Sequence, residues 1–133
     1  PEDDGHAQAK VDNIARDIPD QTVAMGDTTG DIAVVGWGST FGAIHQGVKR
    51  AMRLGHKVSH IHIRHIWPLP ANLGELLSGF DHVLVPEMNT GQLVHLLRTQ
   101  YLIDAHSLNK VSGQPFKIAE IEEAIVAEME NRL

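Results

Sequence analysis

Residues Asp31 to Ala43, DIAVVGWGSTFGA, restrict the folds open to this chain more than any other stretch. Ile32 to Val35 form an apolar run without polar alternation, which suits a strand buried on both faces of a parallel sheet. Gly36 and Gly38 then permit a sharp turn, and Ser39 or Thr40 is placed to cap a helix whose first N–H groups need an acceptor. The unit reads as strand, glycine turn, helix. Such a turn admits two readings. Backbone N–H groups and the helix dipole can converge on an anion where glycine lets a phosphate approach, or the glycines can simply let a strand and a helix meet at a close corner. Gly36, Gly38 and Gly42 make G-x-G-x-x-x-G, one residue longer than the dinucleotide fingerprint. The next strand ends in His62, Ile63, Arg64 and His65, with no acidic residue to hold a ribose. Both facts favour the corner.

Periodicity places the other elements around this unit. Val11, Ile14 and Ile18 have helical spacing, so a short helix ends before Pro19, and Gln21 to Met25 add a brief strand. Glycine and short polar residues from Gly26 to Asp31 predict a turn. After the glycine turn, Phe41, Ile44, Val48 and Ala51 form one helical stripe that Gly55 terminates. A second parallel strand is expected over Lys57 to Ile66. Asn72 is placed to cap a short helix carrying Leu73, Leu76 and Leu77. Val83 to Val85 form a third strand, followed by a helix with Leu93, Leu96, Leu97 and Tyr101 in register. A weak fourth strand covers Ala105 to Val111. Ile118, Ile121, Ile125 and Met129 give the last helix its buried stripe, with glutamates 120, 122, 123, 128 and 130 on its wet side. The β-α alternation implies a three-layer α/β domain with right-handed crossovers. The expected division is a lead-in over residues 1–30 and an α/β domain over residues 31–133.

Composition narrows the functions. A chain of 133 residues with 42% hydrophobic residues has room for one domain with a real core. Eleven basic against seventeen acidic residues give a net charge of −6, and without a local basic patch nucleic acid is not an expected partner. No apolar run approaches the roughly 20 residues that span a bilayer, and the acidic start PEDDGHAQAK lacks the layout of a signal peptide. No membrane partner and a cytoplasmic location are therefore expected. The absence of cysteine excludes a disulfide, a cysteine nucleophile and the thiolates that hold iron–sulfur clusters. Protonating all nine histidines would move the charge from −6 to +3, which predicts a change in solubility or docking between about pH 7 and 5.5.

Two constellations carry chemical interest. His60, His62 and His65 with Arg64 have strand spacing that puts His60 and His62 on one face. No carboxylate lies near in sequence to complete a ligand set, so no metal is expected. Glu87, with Asn89 and Gln92, follows a central strand at its carboxyl end, where open α/β sheets bind ligands. It either makes a polar contact at a crevice or subunit interface, or braces exposed N–H groups of the next helix. No nucleophile elbow G-x-S-x-G and no phosphate loop G-x-x-x-x-G-K-[ST] occurs. Gly26, Asp27 and Thr28 lack the third glycine and downstream asparagine of a thiamine diphosphate motif. Catalysis by this chain alone is not expected.

Four ordered blocks, VVGWGSTFGAI at 34 to 44, IRHIWPLPANLGELL at 63 to 77, VLVPEMNTGQL at 83 to 93 and NKVSGQPF at 109 to 116, resemble one family. It is the C-terminal, transketolase C-terminal-like region of the alpha subunit of 2-oxoacid:ferredoxin oxidoreductases, nearest the 2-oxoglutarate type. The likeness runs from about Val11 to Ile125, and it implies a mixed, mostly parallel sheet flanked by helices. It implies a parent enzyme that decarboxylates a 2-oxo acid, forms an acyl-coenzyme A and reduces ferredoxin. Thiamine diphosphate, magnesium and an iron–sulfur cluster belong to other parts of that assembly, with coenzyme A as a substrate and no cofactor in this domain. The implied partners are the remaining alpha-subunit domains, a beta subunit and ferredoxin. Because the family's full subunit carries upstream domains, an excised domain, a partly represented subunit or a short gene product is expected. No catalytic residue transfers; Gly36, Gly38, Ser39, Thr40, Arg64, Glu87, Asn89 and Gln92 are expected to serve structure or interfaces. The other readings are the equivalent domain of a pyruvate or branched-chain 2-oxoacid enzyme and a small nucleotide-binding or regulatory module.

Overall fold

The structure is a computed structural model that describes residues 18–88, 91–110 and 113–130. The helix expected over Val11 to Ile18 falls almost wholly outside these residues, as does Asn89. In chain order the elements are β1 (Gly30–Trp37), a 3-10 turn (Gly38–Thr40), α1 (Phe41–Arg53), β2 (Val58–Ile63), α2 (Leu73–Leu77), β3 (Phe80–Glu87), α3 (Gln92–Tyr101), β4 (Ala105–Asn109) and α4 (Ile118–Glu130). No helix among the described residues is long and apolar enough to cross a membrane.

Among the described residues the strands form one sheet in the order β2-β1-β3-β4, and every ladder is parallel. The mixed character expected of the sheet reduces to one antiparallel bridge between Met25 and His60. Winding runs from β1 outward to β2, then back across β1 to β3 and β4. Helices α1 and α4 cover one face, and α2 and α3 cover the other. The layer changes as the direction of winding changes, as a constant crossover hand requires.

Successive residues of β1 serve opposite cores, which is why its sequence is apolar throughout. Ile32 and Val34 pack with Ile44, Val48, Ile121 and Ile125, while Ala33 and Val35 pack with Ile61, Leu73, Leu93 and Leu97. Fully burying such aliphatic side chains contributes roughly 1.5–3 kcal/mol each. Gly47 lets α1 approach α4, because a Cβ there would lie 2.5 Å from Ile121 Cγ2.

Several expectations need correction. β2 stops at Ile63, so Arg64 and His65 lie beyond it and are exposed. β3 is longer than expected and includes Pro86. Asn72 makes no side-chain cap to α2. Its amide instead clamps the lead-in, accepting from Gln21 N at 2.6 Å and donating to Gln21 O at 2.9 Å. Phe41 is 40% exposed and leaves the stripe that Ile44, Val48 and Ala51 bury. Glu128 is not on the wet side of α4 but buried, because histidines of β3 and β4 lie within reach of its carboxylate.

Candidate functional site

The β1–β3 ladder ends at Val34 and Leu84, whereas β1 stays paired with β2 up to Trp37 and β3 with β4 up to Glu87. The two central strands thus separate at their carboxyl ends, at the point where the winding reverses. Open α/β sheets place ligand crevices at such a switch point. Pro86, which has no N–H to donate, lies past the last β1–β3 pair. A cleft of about 120 Å³ results, lined by Trp37, Gly38, Ser39, Thr40, Glu87 and Met88.

Glu87 is almost fully buried, and three donors occupy its carboxylate. Oε1 accepts from Leu93 N at 2.7 Å and from Trp37 Nε1 at 3.2 Å, and Oε2 accepts from Val94 N at 3.1 Å. The residue before α3, Gly91, has φ +84° and no side chain to cap that helix. Glu87 supplies the acceptor from the preceding strand, with its charge at the positive end of the helix dipole. It joins β3, the end of β1 and the start of α3. Trp37 was not singled out from the sequence, since a contact between positions 50 apart leaves no local signal.

The glycine corner works by two mechanisms. A Cβ on Gly36 would run into Ile44 Cδ1 and lie 2.8 Å from Thr40 Oγ1, so that glycine permits close packing of strand and helix. Gly38 has φ +64° with open space around it, so there the backbone conformation requires glycine. Neither Ser39 nor Thr40 caps α1 through its side chain. The intervening 3-10 turn directs the Thr40 hydroxyl backwards, where it donates to Trp37 O at 2.9 Å. Ser39 is exposed at the rim.

This crevice does not suit thiamine diphosphate and magnesium. Among the described residues its lining contains no lysine or arginine for a diphosphate and a single carboxylate, Glu87, whose oxygens are already occupied. The chain has no cysteine for an iron–sulfur cluster. Among the described residues no three His, Asp or Glu side chains converge to hold a metal ion. Gln92 is exposed on α3 beside a separate apolar hollow of about 330 Å³ formed with Trp37, Ile66, Leu93 and Leu96. The expected residues therefore do not form one site.

The histidines of β2 make a second group. Val34 and Gly36 of β1 pair with His60 and His62, and α1 brings Phe41 and His45 over them. His45 Nδ1 lies 3.1 Å from His60 Nδ1, and the Phe41 ring stacks on His45 and meets His62 edge-on. The side chain of His45, one turn after Phe41, is a participant that the sequence reading did not single out. His60 is completely buried, and its Nε2 has no partner among the described residues. Burial first, then His45 and His62, lowers its pKa to about 3. Burial, and after it the charge of Arg64, also holds His62 below the ordinary imidazole value. His60 thus stays neutral between pH 7 and 5.5, and the charge of +3 expected from nine protonated histidines is not reached.

A doubly wound parallel sheet with helices on both faces and an internally braced switch point makes this an open-sheet α/β domain. A solved split-gene transketolase shares this fold, with a TM-score of 0.66 at 13% identity over 85% of this chain and 43% of that one. Residues 30–124 match the model of pyruvate:ferredoxin oxidoreductase core domain II, and the chain belongs to that family. It is 45% identical over 128 residues to the 2-oxoglutarate oxidoreductase subunit KorA of Mycobacterium tuberculosis, covering 95% of this chain and 19% of that protein. A solved 2-oxoglutarate:ferredoxin oxidoreductase from Magnetococcus marinus, with 2-oxoglutarate, coenzyme A and succinyl-CoA bound, matches with a TM-score of 0.81 and 26% identity. That match covers 89% of this chain and 21% of the other. The chain spans about a fifth of the length of the curated relatives it matches.

Proposed function

We propose that this chain is a noncatalytic assembly domain of a thiamine-diphosphate-dependent 2-oxoacid:ferredoxin oxidoreductase of the 2-oxoglutarate type. The observation that carries the noncatalytic role is the state of Glu87. The acid at the switch point is committed to two backbone N–H groups and an indole, leaving no acid–base pair among the described residues of the crevice. Identity of 45% to a 2-oxoglutarate oxidoreductase subunit supports the substrate type. In this reading thiamine diphosphate, magnesium and the iron–sulfur cluster are held by other domains and subunits. Coenzyme A and ferredoxin are used by the whole complex, which works in the cytoplasm. A family match beginning at residue 30 supports dividing the chain into a lead-in and a domain near that residue. Gly36, Gly38, Ser39, Thr40, Arg64, Glu87, Asn89 and Gln92 then contribute to corners and contact surfaces.

The test is complementation. The chain alone should fold and release no carbon dioxide from 2-oxoglutarate; added to its upstream domains and the beta subunit, it should restore ferredoxin reduction. Turnover by the lone chain would sink the proposal. Gly38→Val places a β-branched residue at φ +64° and should cost roughly 1–3 kcal/mol of stability, read by urea unfolding, with weaker partner association. Normal folding and assembly of that variant would count against a corner role. Calorimetry with dinucleotides, coenzyme A and thiamine diphosphate checks the nucleotide-binding alternative, which requires micromolar binding to the lone chain.

A further inference from the structure

We propose that the cavity beside the edge of β2 binds a small organic carboxylate, with Arg64 on the carboxylate and Phe41 against the apolar body of the ligand. The cavity holds about 520 Å³ and is walled by the lead-in from Pro19 to Ala24, by Phe41, by Pro70, and by His62, Arg64 and His65. That volume is typical of small-molecule sites, in which a few polar groups orient a ligand against apolar walls.

Arg64 lies just past the end of β2 and has neither a hydrogen bond nor an ion pair among the described residues. A guanidinium presents five N–H donors in a fixed fork that matches the two oxygens of a carboxylate. His62 stands on the same wall, and its buried Nδ1 has no hydrogen-bond partner among the described residues. Phe41 keeps 40% of its surface exposed even though its ring is fixed against three imidazoles. With Pro19, Ala24 and Pro70 it gives the cavity an apolar side that inorganic phosphate would leave unused. Asp20 shares the wall and opposes an anion. This gives the proposal a sign that a cation site would reverse.

The inference does not rest on the assembly role. The 133-residue chain is titrated with benzoate and with inorganic phosphate, by calorimetry and by the imidazole proton resonances. Saturable benzoate binding in the millimolar range is expected, at least tenfold tighter than phosphate, with the His62 resonance shifted and its pKa raised by the nearby anion. Arg64→Gln, an exposed substitution, should weaken binding about tenfold, and Asp20→Asn should tighten it severalfold. The proposal is overturned by absent benzoate saturation, by equal affinity in Arg64→Gln, by weaker affinity in Asp20→Asn, or by phosphate binding as tightly as benzoate.

Discussion

Two groups of histidines lie in the same layer of this domain, and their chemistry runs in opposite directions. At the β2 edge, α1 covers His60 and His62 with Phe41 and His45, and this helix contains no acidic residue. At the β3–β4 side, α4 brings Glu128 to His106 Nδ1 at 2.7 Å and His82 Nδ1 at 3.3 Å. Burial disfavours the imidazolium of His106 as it does that of His60. There, however, Glu128 and Asp104 outweigh burial and raise the pKa above the ordinary value. The strand positions are equivalent; the side chains brought against them decide whether the imidazole pKa moves down or up. The two groups also differ in their response to pH. A folded pKa lowered to about 3 at His60 contributes stability above about pH 6.5 that is lost as pH falls. A raised folded pKa at His106 contributes stability below about pH 6.5 that is lost as pH rises.

Effects of about 3 kcal/mol are expected at His60 and at Glu87, and the first tests the neutral group. Acidification from pH 7 to 4 should cost the wild type roughly 3 kcal/mol through His60, and His60→Leu should remove that share of the slope in urea unfolding. Equal slopes in the two proteins would break the comparison. Glu87→Leu sharpens it, because Glu87 is a buried carboxylate served by donors that do not titrate near neutrality. Stranding two backbone N–H groups and an indole should cost roughly 2–4 kcal/mol, by the same amount at pH 6 and pH 9. A cost that varied with pH would show that the donors alone do not set its energetics. Glu128→Gln is the smallest and the most diagnostic. Since His106 is 43% exposed, screening limits the loss to about 1 kcal/mol at pH 6, fading as pH rises through the raised His106 value. The His106 imidazole, followed by NMR, should titrate at lower pH in that variant; an unmoved titration would remove Glu128 as its cause.

The same contrast explains how much could be read from the sequence. The doubly buried run Ile32–Val35, the glycine corner and the stripes of α1, α3 and α4 all have periods that local sequence displays. The position of Glu87 at the carboxyl end of a central strand followed from strand alternation; that this end is the switch point needed the strand order. What local pattern cannot carry is the identity of a partner far along the chain. Glu128 was placed among the wet glutamates of α4 because its helical phase hides two histidines on other strands. Asn72 had the residue type of a cap, but its amide was taken by Gln21. Thr40 failed as a cap for a shorter-range reason: the 3-10 turn before α1 rotates its hydroxyl toward Trp37. In the candidate site, Arg64 and Glu87 were legible as individual residues, whereas Trp37, Phe41 and His45 became meaningful only through tertiary contact.

The Gln21–Asp27 segment has a consequence for how the sheet can grow. Ala24 N donates to His60 O, His60 N donates to Met25 O, Gln21 Nε2 donates to His62 O, and Ser59 Oγ donates to Asp27 O. These bonds occupy the outer rim of β2, which would otherwise be a template for a strand from another molecule. Addition of a strand in trans at the β2 rim, whether by a partner or during aggregation, would therefore have to displace these bonds first.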